Sequence, residues 1–186
     1  MRIISGKLKG KSISFLKSLS TRPLKDSVKE NIFNILVHSN LININLVKSN
    51  ILDLYSGIGS FGLEALSRGA RKVTFIEKNK NVINFLKKNL TELSLKEKSE
   101  VIEDEIQNVL KRNNLDKYDL FFLDPPFSNK DFILNLKTIK KKNYYKKNHL
   151  IIIHREKKTN DELGKNLDIL LEKNYGRSKI LFAKFL

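Results

Sequence analysis

The sequence has no cysteine, which removes disulfides and any thiolate nucleophile or thiolate metal site from consideration. Its three histidines, His38, His149 and His154, stand far apart, and nothing resembles metal-ligand spacing. No apolar run approaches the roughly 20 residues needed to cross a bilayer. The opening residues, Met1-Arg2-Ile3-Ile4-Ser5-Gly6, lack the apolar core of a secretory leader. These absences lead us to expect a soluble, cytoplasmic, metal-free protein. Acidic residues are also short: 20 Asp plus Glu stand against 36 Lys plus Arg, a formal charge of +16. An excess of this size points to a polyanionic partner, because each neutralised phosphate releases counterions. A merely solvated basic surface is the alternative. With 186 residues, 40% of them hydrophobic, the chain suits one globular domain with at most a short appendage.

What is present is organised around residues 51–66. The apolar run Ile51-Leu52-Asp53-Leu54 enters Tyr55-Ser56-Gly57-Ile58-Gly59, and Phe61, Leu63 and Leu66 follow at helical spacing. This is a strand, a tight loop and a helix, the first unit of a doubly wound sheet. Gly57, Gly59 and Gly62 satisfy G-x-G-x-x-G, in which the missing side chains let backbone turn sharply and approach a ligand. Glu77 closes a second apolar run, Val73-Thr74-Phe75-Ile76, where its carboxylate can accept from ribose hydroxyls. Asp53, four residues before Gly57, favours a cationic, phosphate-free ligand over a dinucleotide, and S-adenosylmethionine has that chemistry. The alternative is that Asp53 caps the loop and the glycines serve only the turn.

In chain order, residues 1–20 read as a basic β-hairpin carrying Arg2, Lys7, Lys9, Lys11 and Lys17, stopped by Thr21-Arg22-Pro23. A helix is expected from about 24 to 37, with Val28, Ile32, Ile35 and Leu36 on one face, then an Asn-rich connector. From residue 50 strands and helices alternate: strands near 50–55, 72–77, 100–102, 118–123 and 149–153, helices near 60–68, 79–94, 105–113 and 130–141. A polar stretch with a short helix and an antiparallel pair, 167–173 and 178–185, finish the pattern. The continuous run Tyr118-Asp119-Leu120-Phe121-Phe122-Leu123 is that of a strand buried on both faces.

That run ends in Asp124-Pro125-Pro126-Phe127. Two prolines hold the backbone extended and remove two N–H donors, leaving acceptors. The Asp124 carboxylate and Pro125 carbonyl can take both hydrogens of an exocyclic base amine, and Phe127 offers a ring for stacking. In open α/β sheets ligands sit beyond the carboxyl ends of the strands, so Asp53, Glu77 and Asp124 should share one rim. The basic run Lys137, Lys140-Lys141-Lys142 and Lys146-Lys147, with Tyr144 and Tyr145, reads equally as a phosphate track beside that site and as a solvated helix end.

The loop 53–59, the acid Glu77 and the 124–127 tetrad resemble class I S-adenosylmethionine-dependent methyltransferases acting on amino nitrogens. Arg2-Ile3-Ile4-Ser5-Gly6, Thr21-Arg22-Pro23, the stretch 28–34 and the stretch 62–70 further resemble the RsmD family, bacterial 16S rRNA guanine-N2 methyltransferases. The resemblance implies an α/β fold, a Rossmann-like seven-stranded class I methyltransferase sheet (23–186) with a small basic N-terminal hairpin (1–22). It implies S-adenosyl-L-methionine as cofactor and, as partner, 16S rRNA or the assembling small ribosomal subunit, with the enzyme a monomer. By position, Asp53, Tyr55, Ser56, Gly57 and Gly59 would line the methionine end of the cofactor and Glu77 its ribose. Glu105, beside Asp104, stands where the family has an adenine-contacting Asp. Asp124, Pro125, Pro126 and Phe127 would be catalytic, and Arg22 and the basic hairpin with Arg2, Lys7, Lys9 and Lys11 would meet RNA or help close over the cofactor. His154 stands where the family carries Glu, and reads as a structural histidine. A DNA adenine-N6 methyltransferase would share the tetrad but needs a target-recognition region. A non-catalytic RNA-binding assembly factor would need neither chemical motif.

Overall fold

The computed structural model describes residues 1–15, 24–112, 114–163 and 166–186, so the Thr21-Arg22-Pro23 stop, with Arg22, lies outside the described residues. After α1 (Asp26–His38) come β1 (Asn50–Leu54), α2 (Ser60–Ser67), β2 (Lys72–Glu77) and α3 (Lys80–Glu92). Then follow β3 (Ser99–Glu103), α4 (Ile106–Lys111), β4 (Tyr118–Leu123), α5 (Asp131–Lys142), β5 (Tyr145–Glu156), β6 (Leu167–Tyr175) and β7 (Ser178–Phe185). No helix among the described residues is long and apolar enough to cross a membrane.

The strands form one seven-stranded sheet in the order β3-β2-β1-β4-β5-β7-β6. Strands β1 to β5 pair in parallel, and β7 enters reversed between β5 and β6. The order reverses direction between β1 and β4, which is where such sheets place ligands. Strand alternation divides the core into two layers. Ile51, Leu120, Phe122, Ile152 and Phe182 pack toward α1, α2 and α3. Leu52, Leu54, Phe121, Leu123, Ile151 and Ile153 pack toward α4 and α5. Rings of Phe33, Phe61 and Phe122 stack from α1 through α2 onto β4, with centroids 5.0 and 3.9 Å apart.

The amino-terminal segment doubles back as expected, but one antiparallel bridge, Arg2 to Ser12, stands in place of two laddered strands. Backbone bonds that a longer ladder would use go instead to α2. Glu64, fully buried, accepts from the N–H groups of Ile4 (2.7 Å) and Ser5 (3.0 Å), and Lys7 N–H donates to the Ser67 carbonyl (2.8 Å). Gly6 lies so close that a Cβ would fall 2.1 Å from the Ser67 oxygen. Ile3 and Ile13 enter the core. Asn89 of α3 accepts from Ser14 N–H (2.8 Å) and donates to the Ile58 carbonyl (3.3 Å), joining this segment to the glycine turn.

Three sequence expectations change. Strand β5 begins four residues earlier than read, because Tyr145 pairs with Tyr118 before a bulge that ends at the Leu120–Leu150 pair. The polar stretch before β6, read as holding a short helix, has none among its described residues. The lysine run sits at the amino rim, where α5 ends and β5 begins, across the sheet from Asp124. Tyr144 there is buried, with its hydroxyl donating to the Arg112 carbonyl, and Lys146 pairs with Asp119 at 2.8 Å. The run is therefore not beside the tetrad.

Candidate active site

At the carboxyl rim, Asp53 lies beneath the glycine turn, 1% exposed, with Oδ2 accepting from Gly62 N–H in the first turn of α2 at 3.1 Å. Burial raises its pKa well above the usual carboxylate range; the Gly62 N–H opposes this, and the carboxylates of Asp124 and Glu77 add to it. The turn is fastened to β2. Ser56 N–H donates to the Ile76 carbonyl (3.1 Å) and Gly57 N–H to Glu77 Oε2 (2.9 Å). The other oxygen of Glu77 accepts from the N–H groups of Lys78 and Asn79, each at 2.9 Å. Gly59 has φ +83°, and a Cβ there would stand 2.5 Å from Leu86 Cδ1, so both conformation and space require glycine. A Cβ on Gly57 would instead meet open space. Tyr55 turns its hydroxyl to α5, where it accepts from Asn135 Nδ2 at 2.9 Å; burial pushes the phenol up to about 12.

One strand over, Asp124 follows β4 with its side chain 25% exposed. Its Oδ1 lies 2.7 Å from Nδ1 of His154, and Nε2 of that ring lies 2.9 Å from Ser178 Oγ. Phe127 is exposed and meets the His154 ring edge-on at 5.6 Å. The next residue of β5, Arg155, points to the other face, 1% exposed. Its guanidinium donates to the carbonyls of Pro126 (3.2 Å) and Phe127 (2.9 Å), pairs with Asp161 (2.8 Å) and lies over the Phe132 ring. Two consecutive residues thus hold the Asp-Pro-Pro-Phe corner from opposite sides. Sequence reading named His154 only as a structural histidine and did not single out Arg155. The available signal was a polar pair directly after the apolar run 150–153, on the strand beside β4. Ser178 left no such signal, because it arrives only through the reversed insertion of β7.

Beyond β3, Asp104 accepts from Glu105 N–H (2.7 Å), Asn108 Nδ2 (3.0 Å) and Arg112; the Asn108 bond is the first cause of its lowered pKa. Glu105 is exposed and lies 3.4 Å from Lys78, across the ends of β2 and β3. Arg2, Lys7, Lys9 and Lys11 are all exposed. Lys7 bonds the C-terminal end of α2, while the glycine turn leads into its N-terminal end, about 12 Å away.

The family model described as "Conserved hypothetical protein 95" matches residues 1–184. Ribosomal RNA small subunit methyltransferase D of Haemophilus influenzae is 39% identical over 178 residues, covering 95% of this chain and 89% of that protein. The chain belongs to the ribosomal RNA small subunit methyltransferase D family. The family member from Buchnera aphidicola subsp. Baizongia pistaciae is 34% identical, covering 100% of this chain and 91% of that one. The solved structure of yhhF from Escherichia coli superimposes with a TM-score of 0.85 at 27% identity, covering 100% and 97% of the two chains. The rim suits the cationic cofactor of such enzymes. Three carboxylates, Asp53, Glu77 and Asp124, converge in a chain of net charge +16, and none is paired with Lys or Arg among the described residues.

Proposed function

We propose that the protein transfers a methyl group from S-adenosylmethionine to the exocyclic N2 of a guanine in small-subunit rRNA. The observation that carries this reading is the juxtaposition of Asp53 and the Asp124–Phe127 corner at the tips of the adjacent strands β1 and β4. When bound, S-adenosylmethionine supplies an electrophilic methyl on a sulfonium. Asp53, Tyr55, Ser56, Gly57 and Gly59 hold its methionine end, Glu77 its ribose, and Glu105 its adenine edge, with Asp104 shaping the loop. Asp124 and the Pro125 carbonyl accept the two amine hydrogens and aim the nitrogen. Pro126 keeps the corner extended, and Phe127 stacks on the base, a contact worth about 1–3 kcal/mol. Positioning and electrostatics supply the catalysis, and the amine proton leaves late to Asp124 or water. Arg2, Lys7, Lys9, Lys11 and Arg22 meet rRNA phosphates, so that residues 1–22 serve the RNA and 23–186 the chemistry. The enzyme works in the cytoplasm as a monomer.

The test supplies methyl-labelled cofactor with small-subunit rRNA, assembling subunits and duplex DNA, and maps the product by mass spectrometry. N2-methylguanosine at one rRNA position is expected, and Asp124→Ala should lower kcat at least about 100-fold with cofactor affinity unchanged. Methyladenine in DNA, or no transfer to any acceptor, overturns the reading.

A further inference from the structure

We propose that His154 is a positioning residue for methyl transfer: it holds one oxygen of Asp124 so that the other faces the substrate amine. This rests on the reading above in which Asp124 receives that amine. An ionised carboxylate only accepts, so the 2.7 Å contact requires the hydrogen on Nδ1. The Ser178 hydroxyl, which donates or accepts as needed, holds Nε2 at 2.9 Å. The ring is 8% exposed and is gripped at three places: Asp124 after β4, Ser178 on β7 and the edge of Phe127. With Oδ1 taken, Oδ2 has no partner among the described residues and is the oxygen left for the amine. The same ring braces Phe127, so hydrogen-bond acceptor and stacking surface are set by one side chain. Arg155 donates to the carbonyls of Pro126 and Phe127, which leaves the Pro125 carbonyl to complete the amine site. In the transfer the nitrogen gains the methyl, the electron pair of the broken carbon–sulfur bond stays on sulfur, and the displaced proton goes to Asp124 Oδ2 or to water. His154 keeps its own hydrogen throughout.

The experiment compares wild type, His154→Leu and His154→Asn in rRNA methyl transfer, with thermal unfolding alongside, and reads the histidine ring nitrogens by NMR. His154→Leu should lower kcat about 100-fold while the cofactor KM stays unchanged, the scale expected when a reacting group is misplaced. His154→Asn should recover most of that loss, because its amide N–H reaches Oδ1 from the place of Nδ1. In the wild-type spectrum Nδ1 of His154 should carry hydrogen, and Asp124→Ala should abolish that signature. A wild-type ring with bare Nδ1, a His154→Leu enzyme as fast as wild type, or equal impairment of the Leu and Asn variants each overturns the proposal. Transfer that is absent from the wild type overturns the functional reading and this role together. Transfer intact in both wild type and His154→Leu overturns this role alone.

Discussion

Asp53 is poorly accommodated in the folded protein: a carboxyl 1% exposed, facing two other carboxylates, with one backbone N–H for support. Its pKa is raised on folding, so it favours the folded state below the unfolded value of about 3.9 and loses that contribution as pH rises through the folded value. Asp53→Asn keeps the acceptor for Gly62 and removes the charge. The cofactor-free variant should therefore melt about 2–4 °C higher at pH 7 and show no advantage near pH 4, by calorimetry. Its affinity for S-adenosylmethionine should fall, since a cation is what offsets the buried charge. Asp53, Glu77 and Asp124 were legible because each stands at or one residue before the end of an apolar run, and strand polarity then puts all three on one rim. His154 was not, because its meaning depends on which neighbour it faces across the sheet.

Among the elements, β4 was readable to the residue, as its unbroken apolar run has one home, the doubly buried centre of the sheet. Strand β5 was not, since its first half is polar and joins the sheet through a bulge. That strand also carries Arg155, whose side chain couples the corner to the loop holding Asp161. Arg155→Leu leaves Asp161, with its side chain 4% exposed, without its cation, and should cost about 3–5 kcal/mol in urea unfolding. Adding Asp161→Leu should restore much of the stability but not kcat, because the Pro126 and Phe127 carbonyls still lack their donor. Full recovery of turnover by the double variant would show that the corner holds its shape unaided.

For the whole molecule, the basic excess surrounds a rim whose carboxylates pair with no Lys or Arg among the described residues, so long-range attraction to RNA and local attraction to a cation coexist in one protein. The affinity for rRNA should fall linearly on a log–log plot against salt. Replacing Lys7, Lys9 and Lys11 together by Gln should make that slope shallower by about 2–3, near one per lost phosphate contact. An unchanged slope would place the RNA elsewhere. The fold class was legible from β/α alternation, whereas the seating of the first 15 residues was not. Nothing local in Ile3-Ile4-Ser5-Gly6 announces that the amides of Ile4 and Ser5 will end on a buried Glu64 about sixty residues later.

The bulge in β5 has a consequence of its own. Between the Tyr118–Tyr145 and Leu120–Leu150 pairs, β4 advances two residues while β5 advances five, so the loose half of the strand already tolerates surplus chain. Beyond Leu150 there is no slack. One residue gained or lost there would turn imidazole and guanidinium to each other's faces, taking the ring away from Asp124 and the guanidinium away from the Pro126 and Phe127 carbonyls. An engineered insertion or deletion in this strand should thus be tolerated in its first half and abolish transfer in its second, whose frame is as much a part of the catalyst as any side chain it carries.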